Sequence, residues 1–68
     1  MADIIALMTE YNKACDDREK LRVVWMDRFL ERERRGRDAE STAMEREAHQ
    51  HFDKAERAAQ ACLQRFPR

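Results

Sequence analysis

Apolar side chains recur along the first half of the chain in steps of three and four, at Ile4, Leu7, Tyr11, Ala14, Leu21, Trp25 and Phe29, with only Arg18 breaking the series. At about 100° per residue these positions share one face of a helix. Met8, Cys15 and Met26 lie beside that stripe, and Ile5, Val23 and Leu30 lie further round. The apolar arc therefore widens to roughly 200°, more than one facing helix covers.

The second half keeps the period but changes the residue sizes. Its stripe is Met44, Ala48, Phe52, Ala55, Ala59, Cys62 and Phe66, flanked by Ala58, Ala61 and Leu63. Small residues allow close helix approach and bury little area. Between the two halves stands the only glycine, Gly36, preceded by Arg32, Arg34 and Arg35. Cations complement the negative end of a helix, and glycine suits the left-handed position that follows it. Two starts are open for the second helix. Asp38 is a direct cap, whereas Thr42 with Glu45 three residues on has the form of a capping box. Phe66-Pro67 ends the helix, because the residue before proline avoids helical angles.

These signals predict an all-α fold, a single domain over residues 1–68 built as an antiparallel two-helix hairpin. Helix one is expected over about 3–35, the turn over about 36–41 and helix two over about 42–66. A broad helix of large residues facing a narrow, alanine-rich one leaves apolar surface uncovered, so the hairpin is expected to homodimerise into a four-helix bundle. The expected core and dimer residues are Ile4, Leu7, Tyr11, Leu21, Trp25, Phe29, Ala48, Phe52, Ala55, Ala59, Cys62 and Phe66.

Composition supports this picture and narrows the partners. Charged residues make up 41% and apolar residues 43%, with one glycine and one proline, a balance found in bundles and coiled coils rather than in chains without periodic apolar positions. Below about 70–80 residues a single core supplies only a few kcal/mol, so oligomerisation, a metal or disulfides usually assist. Fourteen basic and fourteen acidic residues cancel, which leaves no net field to draw in nucleic acid or anionic lipid. No stretch approaches the roughly 20 apolar residues of a membrane span. Residues 1–8 lack the basic flank of a secretion signal. A cytoplasmic protein without membrane contact is expected.

Candidate chemistry is sparse. Cys15 and Cys62 have no C-x-x-C spacing, and the expected state is small buried thiols in a reducing compartment, with an intrachain disulfide sterically open. His49 and His51 point about 200° apart on a helix, and their carboxylate neighbours at four residues make only two-ligand clips. No metal, cofactor or catalytic residue is expected, and no glycine-rich phosphate loop is present. Binding chemistry is better represented. Arg28, Arg32, Arg34, Arg35 and Arg37 gather near the turn, suited to phosphate or carboxylate. Asp27, Glu31, Glu33, Asp38 and Glu40 are interleaved with them, as in a salt-bridged helix end. Tyr11 and Trp25 are the aromatic candidates for an interface anchor. Arg18, mid-stripe, either pairs with a carboxylate of the second helix or a dimer mate, or snorkels to water.

Asp53, Ala55, Glu56 and the run Cys62-Leu63-Gln64-Arg65-Phe66 resemble the second helix of the Rop-type helical hairpins. That resemblance covers about fifteen residues and implies a dimeric bundle and an RNA-binding modulator. The family binds RNA through its first helix, where this chain offers Asn12, Lys13 and Arg18 crowded by Asp16, Asp17 and Glu19. Charge neutrality and the interleaved acids therefore favour a different function. The expected activity is that of a small non-enzymatic regulator or inhibitor, of the kind phages and mobile elements encode, acting on an unidentified protein partner. RNA binding and a purely structural assembly module are the alternatives.

Overall fold

The computed structural model describes residues 2–67 and shows two long helices, α1 (Ala2–Arg34) and α2 (Ala39–Gln64), packed side by side. The hairpin is a narrow rod of 53 × 14 × 14 Å. The predicted periodicity decides this shape. Each helix carries one apolar stripe, and the turn is too short to hold the helices other than antiparallel.

Local hydrogen bonding explains the turn. The Arg37 N–H donates to the Arg32 carbonyl at 2.8 Å and the Gly36 N–H to the Glu33 carbonyl at 3.3 Å, the crossed pair of a Schellman cap. Gly36 sits at φ 74°, the left-handed angle that glycine adopts without steric cost, and Arg37 follows at φ 61°. Two successive left-handed residues reverse the chain within four positions. Asp38 then caps α2, with its side chain accepting from the Ser41 N–H at 2.7 Å.

This corrects the expected boundaries. Helix two begins at Ala39 instead of about 42 and closes at Gln64 with Arg65 as its cap, and helix one ends at Arg34. The physical reason lies at Glu45. Its carboxylate, needed to complete a capping box with Thr42, is held by the Trp25 indole N–H at 2.9 Å. The Thr42 N–H is already an ordinary helical donor, bonded to the Asp38 carbonyl at 3.0 Å.

The core is small. Among the described residues only Ala48, Ala59 and Cys62 are buried apolar residues, with Ala59 at 1% exposure. Leu7, Tyr11, Leu21, Trp25, Phe29, Phe52, Ala55 and Phe66 from the expected core are half-buried, and Ile4 is exposed. A two-layer rod leaves every large side chain with one wall missing. Two ring contacts cross the seam: Trp25 stacks on Phe52 at 5.3 Å, and Tyr11 meets Phe66 edge-on at 6.1 Å.

Candidate interaction surface

Helical geometry sorts the half-buried and exposed residues into two unlike flanks. On the flank where Trp25 meets Glu45 and Phe52, α1 turns outward through Ile4, Met8, Met26, Ile5, Val23 and Leu30. These side chains are large and stand in water: Ile5 is 71% exposed, Leu30 60% and Val23 56%. Leu63 of α2 is exposed on the same side. The apolar residues gather at the two ends of α1, and Asn12, Glu19 and Arg22 occupy the middle. There Arg22 donates to both Glu19 oxygens, at 3.0 and 2.6 Å. Its hydrogen bond holds the Glu19 carboxyl below the usual carboxylate range.

The opposite flank is recessed because α2 presents alanine there. A shallow hollow of about 480 Å³ is floored by Leu21, Ala55 and Ala58 and edged by Asp17, Lys20 and Lys54. At its terminal end Arg65 reaches across to Glu10 at 2.9 Å, tying the two helices together.

Of the arginines singled out in the sequence, four are engaged within the hairpin. Arg34 pairs with Glu31, Arg35 with Asp38 at 3.0 Å and Glu40 at 3.4 Å, and Arg37 with Glu33 at 3.2 Å. Arg32 lies inward. Its guanidinium covers the Phe29 ring at 4.9 Å, meets Glu33 at 3.1 Å and stands 3.8 Å from Glu45. Its Nε is buried and has no hydrogen-bond partner among the described residues. Arg28 is half-buried beside Val24, Met44 and Glu47, with no ion pair among the described residues. The Arg37 hydrogen bond keeps the Glu33 carboxyl low, and the Ser41 hydroxyl and N–H, followed by Arg35, do the same for Asp38.

Trp25 and Tyr11 belong to the helix–helix seam rather than to a free aromatic patch. Beyond Phe52, Trp25 has His49 at 4.8 Å on a tilted plane. The pairing of Trp25 with Glu45, which is only 9% exposed, is the main feature that the sequence did not announce. Glu45 looks like a capping residue in sequence; a tryptophan twenty positions earlier is legible as its partner only once the helices are set in register.

The cysteines are both free. Cys62 is buried and its thiol approaches the Leu7 carbonyl at 3.8 Å, whereas the neighbouring Cys15 thiol pushes the Tyr11 phenol above its ordinary pKa. Leu7 and Cys15 are two helical turns apart, so the early start of α2 leaves the thiols offset along the seam. His51 stands 3.8 Å from Glu47, and the described residues include no group of three or more potential metal ligands. Arg18 is half-buried without an ion pair among the described residues. None of the described helices is long and apolar enough to cross a membrane.

Compared with known proteins, the chain matches no family model, no curated protein and no solved structure.

Proposed function

We propose that this protein is a small non-enzymatic regulator or inhibitor that works by binding another protein, and that its working form is a homodimer in which two hairpins make a four-helix bundle. The observation that carries the reading is the outer flank of α1, where Ile5, Met8, Val23, Met26 and Leu30 are all exposed. Exposed apolar patches, here one at each end of α1, mark interaction sites on small proteins.

Magnitudes support self-pairing. The hairpin exposes 5458 Å². A compact monomer of its 8.2 kDa mass would expose about 4,500 Å². The surplus of roughly 900 Å² is close to the ~800 Å² that each partner contributes to a standard interface. The three buried apolar residues among those described make a thin core, and a second copy would supply the missing wall. The protein partner would then meet the surfaces left outside the bundle. Free thiols are in keeping with a reducing compartment, and the cytoplasm is the proposed location.

The ion-paired arginines argue against the RNA-binding alternative, because phosphate affinity requires cations not already neutralised by carboxylates.

Sedimentation equilibrium at micromolar concentration is expected to give twice the chain mass, and Met26→Glu with Leu30→Glu is expected to give a helical monomer. A monodisperse, folded wild-type monomer would refute the dimer. Affinity capture from source cells, compared between wild type and the monomeric variant, tests the regulatory role: recovery of no stoichiometric protein by either form counts against it. Micromolar RNA binding that weakens steeply with salt would replace it with the RNA reading.

A further inference from the structure

The flank turned away from the proposed dimer surface carries three adjoining hollows. One of about 190 Å³ beside Arg28 meets, at His51, the hollow of about 480 Å³ over Leu21, and that meets, at Ala58, a third of about 350 Å³ ending at Glu10 and Arg65. Together they form one shallow groove along the seam. From Arg28 to Glu10 it runs about 27 Å at the helical rise per residue, the length of a single helix of about five turns.

The lining specifies what fits. Leu21, Val24, Ala55 and Ala58 give an apolar floor, with Val24 45% exposed. Side chains this small let an incoming helix approach closely and leave volume for its own large residues. The charges on the rim fall into two sets. Lys20 pairs with Asp16 at 3.1 Å, Arg65 with Glu10 at 2.9 Å, and Glu47 stands 3.8 Å from His51. Arg28 and Lys54 have no ion pair among the described residues, and Asp17 is the one rim carboxylate without a partner among them. Arg28 lines the groove beside Glu47, seven residues before Lys54. The two uncommitted cations therefore stand about two turns apart on opposite walls, Arg28 on α1 and Lys54 on α2. Asp17 lies on the side of Leu21 away from Arg28.

Given the regulatory reading above, on which this rests, we infer that the groove docks an acidic amphipathic helix of the partner protein. Its large apolar side chains enter the hollow over Leu21, and a carboxylate on each edge of its apolar face meets Arg28 and Lys54. A cation further along meets Asp17. The order of these charges sets the direction of docking, because a reversed helix puts its cation on Arg28 and a carboxylate on Asp17.

Selection from a displayed library of amphipathic helices about 18 residues long, with edge and apolar positions randomised, tests this on the full-length protein. The enriched sequences are expected to carry two carboxylates about two turns apart beside Leu, Met or Phe. Labelled as a free peptide, the leading sequence is expected to bind by fluorescence anisotropy, about tenfold more weakly to Lys54→Glu and not at all to Ala58→Trp, which fills the hollow; circular dichroism verifies that both variants remain helical. Enrichment of basic or uncharged edges, or of nothing, overturns the inference, as does binding that neither variant weakens. Loss of the wild-type dimer in Ala58→Trp overturns it too, by placing a second copy in the groove. Capture from source cells separates the two readings. A partner recovered equally by wild type and Ala58→Trp removes the groove and keeps the regulator, whereas a peptide bound in the groove with no partner recovered removes the regulator alone.

Discussion

Glu45 shows how one side chain is committed by its surroundings. Placed in the second turn of α2, it accepts from the Trp25 indole at 2.9 Å and stands 3.8 Å from the Arg32 guanidinium. A nearly buried carboxylate left without its donor costs the desolvation penalty of the bare group. Trp25→Phe keeps most of the ring contact with Phe52 but removes the N–H, and is expected to destabilise by about 1–3 kcal/mol in urea unfolding at fixed chain concentration. Combining it with Glu45→Leu is expected to cost less than the sum of the two single changes, because the second removes the group that the first orphans. Ala59 makes a complementary case. At 1% exposure it has no room to grow, and Ala59→Leu is expected to cost about 1–3 kcal/mol through overpacking.

The helices owe their limits to two devices at the turn. Gly36 holds a left-handed angle in open space, with nothing within 4 Å of where a Cβ would stand. Gly36→Ala is therefore expected to destabilise by about 1 kcal/mol through backbone strain alone, with no clash. The start of α2 depends on the Asp38 carboxylate, and its folded pKa is lowered by Ser41. Glu19 and Glu33 are lowered likewise by Arg22 and Arg37. A group whose folded pKa is depressed stabilises the fold above its unfolded value and loses that contribution as pH falls through the folded value. Stability from these carboxylates is expected to hold above about pH 4, the unfolded range for Asp and Glu, and to decline below it. Thermal melts across acidic pH check this, and Asp38→Asn, which still caps but does not ionise, is expected to flatten part of the decline.

The rod as a whole is short of a wall. Its large side chains meet across one seam and are open on the flank, so mass action is expected to govern its stability. The melting temperature of wild type is expected to rise with protein concentration, whereas that of Met26→Glu with Leu30→Glu is expected to be lower and independent of concentration. A concentration-independent wild-type melt would show that the hairpin stands alone. The regulatory proposal depends on this result, since it uses a surface defined by the second copy.

The two helices and the turn were legible from residue order, because a three-and-four apolar period and a lone glycine are local properties of the chain. The width of the α1 arc was legible for the same reason. It leads from the sequence to the flank where Ile5, Val23 and Leu30 stand exposed. Register between the helices was not. Asp38 and Thr42 are both sound caps, and choosing between them required knowing that Trp25 claims Glu45 from across the seam. The fate of the arginine cluster was undecided for a related reason. Alternating signs along a helix are compatible with free cations or with closed pairs, and only the folded turn brings Arg35 to Asp38 and turns Arg32 inward over Phe29. Periodicity is written in neighbouring residues; partner choice is settled by distances between residues far apart in the chain, and those exist only in three dimensions.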